Sequence, residues 1–380
     1  MKKETEFAHI ARPKPDKGTA VNPGITRAST LLFEQAQNLY RTDMRTYGRH
    51  GSAIHDAVES CFNALEGGEG TSLTPSGLSA CTLAILSVAK AGDHILMTDS
   101  VYGPTRYFCQ KFLAGMGVET EHYDPRIGAN IKGLIRRNTS LIIMETPGSL
   151  TFEIQDIPAI CGVARTYDIA TMVDNTWSAG LTLNPLALGA DMSIHSATKY
   201  ISGHSDIMFG AVVSRTGNIA DKVTRTRKYL GYATSPDDAY QVLRGFRTLN
   251  TRFRQQERSA QKLAEWLSTR NEVEQVLHPS VPDHPDHALW RRDFTGGACL
   301  FGVILKPRSQ GQVIAFINRL RYFGIGYSYG GYESVVIHCD PQLDRRFGGK
   351  LPGPLIRFGC GLENVNDMIA DVEQALGHVF

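Results

Sequence analysis

Two stretches of sequence decide the fold class: IATMVDNTW at residues 169–177 and ADMSIHSATKY at residues 190–200. Each begins as a short apolar run, of the length of a buried strand, and ends in polar residues. A helix-like stretch, DIPAICGVARTYD at residues 156–168, precedes the first run. Short buried strands that alternate with helices predict a mostly parallel sheet covered by helices.

The same alternation extends toward both ends of the chain. Further buried strands are predicted at DHILMTD (residues 93–99), TSLIIMETP (139–147) and FGAVVS (209–214). Helices are predicted at residues 78–92 and 102–117. Together these elements predict one α/β lobe.

A second lobe is predicted beyond a long charged segment. Residues 239–270 are predicted to form a single helix that joins the two lobes and carries its arginines on a solvated face. Strands then follow at residues 296–307, 334–340 and 355–361, with helices at 309–324 and 365–380. Two lobes also agree with the length of 380 residues, because domains usually hold about 100–200 residues.

The composition excludes several classes of protein. Forty basic and 38 acidic residues give a net charge of +2, which provides no electrostatic basis for nucleic-acid binding. No apolar run approaches the roughly 18 residues of a membrane span, and the N-terminal residues lack the apolar core of a secretory signal. Seven cysteines without a CxxC pair fit reduced thiols, so a cytoplasmic protein is expected.

Two minor patterns suggest other kinds of site. His284 and His287 form an HxxH, but the surrounding prolines indicate a solvated loop rather than a metal site. Tyr107 and Lys111 form the YxxxK of some nicotinamide oxidoreductases, yet no glycine-rich GxGxxG loop accompanies them. We therefore expect no metal, and a nicotinamide enzyme is the weaker alternative.

Lys199 is framed by small hydroxyl residues directly after an apolar run. Asp174 ends a predicted parallel strand, at the edge where open α/β sheets bind ligands, although an aspartate there could also only cap a helix. Ser76 and Gly77 lie at a strand-to-helix junction, where free N–H groups suit a phosphate or simply accept an N-cap. Taken together, these groups describe a pyridoxal phosphate (PLP) site, with a Schiff-base lysine and an aspartate for the pyridinium nitrogen.

Five motifs carry a resemblance to a known family: YGRHG (47–51), VDNTWSAG (173–180), SIHSATKYISGHSD (193–206), GYSYGGYES (326–334) and IRFGCGLEN (356–364). With them the chain resembles the Cys/Met-metabolism PLP-dependent enzymes, the family of cystathionine lyases and synthases, and within it the bacterial cystathionine β-lyase type. The resemblance covers nearly the whole chain. It implies fold type I, with a large domain around a mostly parallel seven-stranded sheet and a smaller C-terminal α/β domain.

The same resemblance implies an assembly and its domain limits. Family members are homotetramers built from dimers, with active sites shared across a dimer interface. We therefore expect an N-terminal arm at residues 1–50 that contacts the neighbouring subunit, a PLP-binding domain at 51–245 and a C-terminal domain at 246–380.

The resemblance also assigns site residues one by one. It implies that Lys199 carries the cofactor, that Asp174 pairs with the pyridinium nitrogen and that the Tyr102 ring stacks on the cofactor. The residues implied to bind the cofactor phosphate are the backbone N–H groups of Gly77 and Leu78, the hydroxyls of Ser196 and Thr198, and Tyr47 and Arg49 lent to the neighbouring subunit.

Substrate binding is implied for the C-terminal lobe. Arg357 would grip the substrate α-carboxylate, helped by the backbone around Ser328, and Tyr229 matches a further active-site tyrosine. Many β-lyases of this type have tryptophan in S-W-G-G-Y-E-S, where this chain has Tyr329, while the γ-enzymes resemble S-L-G-G at this segment. The departure leaves an aromatic wall that is shorter and carries a hydroxyl.

The resemblance implies an α,β-elimination of L-cystathionine, an amino-acid thioether, to homocysteine, pyruvate and ammonia. Within the family a cysteine desulfhydrase, an S-alkylcysteine lyase, a γ-lyase and a γ-synthase stay open as alternatives. A non-catalytic binding protein on the same fold would not need the intact set of lysine, aspartate and arginine.

Overall fold

The computed structural model describes residues 2–16, 18–41 and 43–379. Within these ranges the chain forms two sheets, one of seven strands and one of five. The positions between and beyond the ranges belong to the predicted arm and to the predicted C-terminal domain, and those positions lie outside the described residues.

The seven-stranded sheet is mostly parallel, as predicted. Its strands are β1 (Gly70–Thr74), β2 (His94–Thr98), β3 (Glu119–Tyr123), β4 (Thr139–Glu145), β5 (Ala170–Asp174), β6 (Met192–Ser196) and β7 (Gly210–Ser214). Their order is β1-β7-β6-β5-β4-β2-β3. Only β7 runs against its two neighbours, β1 and β6.

Helices cover both faces of this sheet. They are α1 (Lys3–His9), α2 (Ala53–Glu66), α3 (Gly77–Leu86), α4 (Gly103–Tyr107), α5 (Ile157–Thr166), α6 (Gly217–Leu230) and α7 (Pro236–Phe246). Successive residues of a strand point to opposite faces, so Met172 joins one apolar core and Val173 the other. The continuous apolar runs of the central strands are what a sheet buried on both faces requires.

Of the two edge strands, β1 is the strand implied before the junction at Ser76 and Gly77, whereas β3 was not predicted. Their sequences, GTSLT and ETEHY, are too polar to give an apolar run. Edge strands tolerate polar side chains because one side of the strand has no partner to bury it. The helix predicted at residues 78–92 is also shorter than expected, since α3 ends at Leu86.

The segment predicted as one helix at residues 239–270 consists of two helices, α7 and α8 (Leu249–Ser268). At the break, a side chain on Gly245 would lie 2.1 Å from the Ile201 carbonyl oxygen, so the chain bends there to approach the turn after Lys199. Arg252 is buried rather than solvated, and its guanidinium donates to the carbonyl oxygen of Tyr200 at 2.7 Å. Contact with the turn after Lys199 therefore accounts for two helices where the sequence pattern predicts one.

The five-stranded sheet is largely antiparallel. Its strands are β8 (Val273–Leu277), β9 (Leu300–Leu305), β10 (Gly324–Ile325), β11 (Val335–His338) and β12 (Leu355–Gly359), in the order β10-β11-β12-β9-β8. The accompanying helices are α9 (His287–Asp293), α10 (Gln310–Arg319) and α11 (Val365–Val379). The strands β9, β11 and β12 confirm the predictions, whereas β8 and β10 were missed. The domain limits proposed from the resemblance stay predictions.

None of the helices in the described part of the chain has the length and apolar character to cross a bilayer.

Candidate active site

The carboxyl ends of three neighbouring strands converge at one edge of the large sheet. Glu145 ends β4, Asp174 ends β5 and Ser196 ends β6. In the pairing register Glu145 lies opposite Asp174, and Asp174 lies opposite Ile194. This is the edge at which open α/β sheets bind ligands, and Lys199 follows β6 by three residues.

Lys199 reaches from the large lobe to the segment before β11. Its backbone N–H donates to the Ser196 carbonyl oxygen at 3.1 Å, within the turn after β6. Its Nζ donates to Ser328 Oγ at 2.7 Å and lies 5.1 Å from the centroid of the Tyr329 ring. The amine is therefore held at the cleft between the two sheets.

The pKa of Lys199 is lowered to about 8. Burial is the main cause because it disfavours the charged amine, and the positive charge of Arg357 lowers the pKa further, while Asp174 opposes both. A lysine with such a pKa has a substantial neutral fraction near neutral pH and is an activated nucleophile.

The N terminus of α3 faces the turn that follows β6. Gly77 and Leu78 are its first two residues, whose N–H groups have no acceptor within a helix. Ser76 caps the helix by accepting from Ser79 N at 3.1 Å. A side chain on Gly77 would lie 2.5 Å from Ser196 Cβ, so only glycine lets the helix terminus approach the Ser196 hydroxyl. The pair forms a cradle suited to a phosphate.

The Thr198 hydroxyl, which was also predicted to bind the phosphate, already makes two hydrogen bonds. Its Oγ1 accepts from the Phe209 N–H at 3.0 Å and donates to the Phe209 carbonyl oxygen at 3.2 Å. Donation to a phosphate would compete with the second of these bonds. The assignment of Thr198 to the phosphate stays a prediction.

Asp174 retains acceptor capacity for a ring nitrogen. Its Oδ1 accepts from Thr176 N at 3.0 Å, and Cys81 Sγ lies 3.7 Å from its Oδ2. An ionised carboxylate has about four acceptor positions, so a protonated heteroaromatic nitrogen can still be bound. An amine at Lys199, this carboxylate and the phosphate cradle form the donor set that PLP requires, and the residues fit the cofactor.

Tyr102 lies beside the two strand-end carboxylates. It precedes α4, and its backbone N–H donates to Glu145 Oε2 at 2.6 Å. Burial raises the pKa of its hydroxyl, and the negative charge of Asp174 adds to this effect. Glu145 was missed by sequence reasoning, although ETP at residues 145–147 gives the same signal as Asp174, a carboxylate that ends a buried strand.

Arg357 projects from β12 into the same cleft. Its Nη2 donates to the Ser328 carbonyl oxygen at 3.2 Å, and its Cζ lies 5.9 Å from the centroid of the Tyr329 ring. Ser328 has a left-handed backbone, φ +84°, which is costly for a residue other than glycine and tends to occur at functional sites. In this conformation its Oγ meets Lys199 while its carbonyl oxygen meets Arg357. The remaining guanidinium donors can bind a carboxylate.

A comparison with known families identifies this arrangement. The model of the Cys/Met metabolism PLP-dependent enzymes matches residues 4–377. The chain belongs to this family. It is a PLP-dependent carbon–sulfur lyase with the α/β architecture of fold type I.

Relatives of this PLP-dependent lyase carry more than one activity. The chain is 39% identical to a cystathionine β-lyase of Haemophilus influenzae, over 97% of this chain and 96% of the relative. It is 31% identical to a cystathionine γ-lyase of Bacillus subtilis, over the whole of both chains. The solved structure of a Lactobacillus plantarum cystathionine γ-lyase, complexed with L-serine, superposes with a TM-score of 0.93 at 28% identity, covering 100% of this chain and 99% of that chain.

Three predicted site residues of the lyase are not assembled with Lys199 in a single chain. Tyr47 and Arg49 contact each other, with Arg49 Cζ 5.5 Å from the Tyr47 ring centroid. Tyr229, near the end of α6, is 80% exposed. Among the described residues, no hydrogen bond, ion pair or ring contact connects any of the three to Lys199 or Asp174.

The HxxH loop is not the solvated loop predicted from the sequence. His284 is buried, and its Nδ1 accepts the backbone N–H of Asp286 at 3.1 Å. Asp286 in turn pairs with Arg126 Nε at 2.7 Å. Within the described ranges, no three His, Cys, Asp or Glu side chains are grouped as metal ligands.

The pKa of Lys199 predicts how apoprotein captures its cofactor. Attack on the PLP aldehyde needs the neutral amine, so the rate should rise about tenfold per pH unit below a pH of about 8 and level above it. Arg357→Leu removes a neighbouring positive charge and should move the levelling point up, whereas Asp174→Asn should move it down. Stopped-flow absorbance measures the rate, with N-acetyl-lysine as the control for titration of PLP itself. A rate independent of pH would contradict the assignment.

Proposed function

We propose that the chain catalyses the α,β-elimination of L-cystathionine to homocysteine, pyruvate and ammonia. The observation that carries the proposal is the Tyr329 ring, which lies beside both Lys199 and Arg357, with its centroid 5.1 Å from Nζ and 5.9 Å from Cζ. The 39% identity to a cystathionine β-lyase supports it.

The proposed chemistry divides between the cofactor and the side chains. When bound, PLP supplies an electron sink for the pair of electrons left at the substrate Cα. Asp174 provides the negative charge beside which a protonated ring nitrogen is stable. Tyr102 holds the ring from one side, and the α3 terminus with Ser196 binds the phosphate.

Lys199 performs the proton transfers in this proposal. Its neutral Nζ removes the Cα proton, and the Ser328 hydroxyl at 2.7 Å orients the amine. The bond between Cβ and sulfur then breaks, and the resulting ammonium protonates the leaving thiolate to give homocysteine. Water hydrolyses the remaining enamine to pyruvate and ammonia, so atoms and protons balance.

The Tyr329 ring favours β-cleavage over γ-cleavage. A γ-elimination needs a second proton removed from Cβ, and therefore room for the substrate chain to move past Lys199. An aromatic ring beside both Lys199 and Arg357 restricts that movement, and the γ-enzymes resemble S-L-G-G at this segment. Crowding of this kind discriminates by about 1–3 kcal/mol, or 10- to 200-fold.

Replacing Tyr329 by leucine is expected to loosen this restriction. The ratio of 2-oxobutyrate to pyruvate formed from cystathionine should rise about tenfold or more. Tyr329→Trp is the matched control because it keeps an aromatic wall, and its ratio should stay at the wild-type value. Ketoacids are quantified by chromatography. An unchanged ratio of 2-oxobutyrate to pyruvate in the leucine variant would show that the Tyr329 ring does not determine which carbon–sulfur bond is cleaved.

A second candidate is a lyase for cysteine or S-alkylcysteines, with the same bond cleaved. It is favoured by Tyr329, which is smaller than the tryptophan of many β-lyases and leaves room for other thioethers. Specificity constants for cystathionine, cysteine and S-methylcysteine separate the two. A clear preference for cystathionine supports the proposal, whereas a preference for cysteine keeps the chemistry and replaces the substrate.

We further propose that the active site is completed by a neighbouring subunit, in a cytoplasmic homotetramer. The arm that carries Tyr47 and Arg49 exposes large apolar side chains that a second copy would cover. They are Val21, Leu32, Leu39, Tyr40 and Met44. Arg49 offers a planar fork for a phosphate dianion, and its guanidinium lies over the exposed Tyr47 ring.

Subunit mixing tests the shared site. Arg49→Ala and Lys199→Ala proteins should each be nearly inactive, but a mixed dimer holds one intact site. Random exchange between equal amounts should therefore restore about a quarter of wild-type activity. Homodimers of each variant, carried through the same exchange, are the control. Exchanged hybrids without activity would contradict the shared site.

A further inference from the structure

Asp174 has a second carboxylate beside it. Glu145 and Asp174 end neighbouring parallel strands and lie opposite each other in the register. Such strands are about 4.8 Å apart, and paired positions project to the same face. The proposed chemistry uses only Asp174, so Glu145 needs its own explanation.

Glu145 connects the end of β4 to the loop before α4. Its Oε2 accepts the Tyr102 N–H at 2.6 Å. Its own carbonyl oxygen accepts from Gln155 Nε2 at 2.7 Å, and Gln155 N donates to Thr146 Oγ1 at 3.1 Å. The backbone of Glu145 is thus held by Gln155, and its carboxyl group in turn binds the backbone of Tyr102.

The surroundings of Glu145 favour its neutral form. The titratable groups that face it are Asp174 from β5, Cys81 from α3, Tyr102 before α4, Glu153 after β4, Tyr329 before β11 and Arg345 before β12. Burial raises the pKa of Glu145 well above its usual range and the charge of Asp174 raises it further, while the Tyr102 N–H and Arg345 oppose them. Two carboxylates that share a site do not both ionise readily.

We propose that Glu145 is a positioning residue that holds the backbone of Tyr102 as a neutral carboxylic acid. The carbonyl oxygen of the acid accepts the Tyr102 N–H, so the ring keeps its place over the cleft. Asp174 is then the single full negative charge at this edge of the sheet. The inference deepens the proposed function, because it rests on the role given there to Tyr102.

A neutral Glu145 has two consequences for the site. A neutral Glu145 adds no negative charge to that of Asp174, so it does not repel the substrate carboxylate that is proposed to bind at Arg357. It also leaves the protonation of the cofactor ring under the control of Asp174 alone. An ionised Glu145 would instead add to the charge that stabilises the protonated ring.

Two variants of the holoenzyme test this. Glu145→Gln keeps a neutral acceptor for the Tyr102 N–H, whereas Glu145→Ala removes it. Hydrogen exchange of the peptide at residues 100–107 should accelerate about tenfold or more in the alanine variant and stay within about twofold of wild type in the glutamine variant. Equal acceleration in both variants, or in neither, would overturn the proposal.

The charge state is tested by absorbance. The pH midpoint of the visible cofactor band should shift by less than about 0.3 units in Glu145→Gln, because no charge is lost. A downward shift of about one unit or more would show an ionised Glu145 and overturn the inference. Catalysis should fall about tenfold or more in Glu145→Ala and be largely rescued by glutamine.

A double variant distinguishes positioning from general damage. If Glu145 acts through Tyr102, then Glu145→Ala should lower activity by less than about twofold when Tyr102→Ala is already present. A full additional loss would contradict that route. Exchange and absorbance do not depend on which carbon–sulfur bond is cleaved, so a failure of the β-lyase proposal leaves both readouts interpretable.

Discussion

Replacing Lys199 by alanine is expected to lower turnover of cystathionine by roughly 10⁴-fold. The proposed mechanism uses its Nζ as the cofactor attachment point, as the base at Cα and as the acid for the leaving sulfur. One substitution therefore removes three contributions. The visible absorption of the lysine-linked cofactor should also disappear, and borohydride should no longer fix PLP to the protein.

Lys111→Ala is the matched control, because this lysine is exposed and lies outside the cleft. It should keep wild-type turnover and remain fixable by borohydride. If borohydride still fixed the cofactor covalently in Lys199→Ala protein, the cofactor would be carried by another lysine and the site described here would be wrong.

Replacing Arg357 by leucine is expected to lower kcat/KM by roughly 10²- to 10³-fold. Its fork is the proposed partner of the substrate carboxylate, and truncation of such a charge pair in a cleft costs several kcal/mol. The loss should lie mainly in KM, since the group is bound in the ground state and in the transition state alike. The visible cofactor band should persist, because Asp174, Lys199 and the α3 terminus are untouched.

Two variants control the Arg357 result. Arg357→Lys keeps the charge without the planar fork and should fall between leucine and wild type. Arg291→Leu removes an exposed arginine on α9 and should change nothing. A loss confined to kcat, with KM unaltered, would show that Arg357 does not bind the substrate carboxylate.

The sequence predicted the strand-edge part of the site because that part is encoded locally. The apolar run before Asp174 and the run before Lys199 each define a buried strand, and neighbouring parallel strands end at the same edge. The cradle at Gly77 follows from a strand-to-helix junction in the same way. These residues needed no knowledge of distant contacts.

Features that depend on tertiary contact were missed. The break between α7 and α8 arises where Gly245 meets the Ile201 carbonyl oxygen, 44 residues earlier in the chain, and no local sequence pattern indicates it. The sequence predicts that Arg252 is a surface residue, because the backbone carbonyl oxygen that accepts its guanidinium lies in a distant part of the chain. Glu145 carried a usable signal, but its bond to Tyr102 joins the end of β4 to the loop between β2 and α4, and the sequence does not show that β2 and β4 are neighbours in the sheet.

The roles of Tyr47, Arg49 and Tyr229 came only from the resemblance. The proposed partners of Tyr47 and Arg49 lie on another subunit, so the contacts within one chain cannot assemble them. The contact of Arg49 with the exposed Tyr47 ring agrees with that proposal, while the role of Tyr229 stays a prediction. Mixing Arg49→Ala with Lys199→Ala subunits tests the proposed contribution of Arg49 to the neighbouring site.

Identification of the products from L-cystathionine by proton NMR tests the central claim most directly. Pyruvate and homocysteine share one origin, cleavage between sulfur and the Cβ of the three-carbon half, whereas 2-oxobutyrate and cysteine come from cleavage on the four-carbon side. Because the Tyr329 ring lies beside both Lys199 and Arg357, we predict pyruvate and homocysteine in equal amounts as the main products. Mainly 2-oxobutyrate and cysteine would contradict the β-lyase assignment.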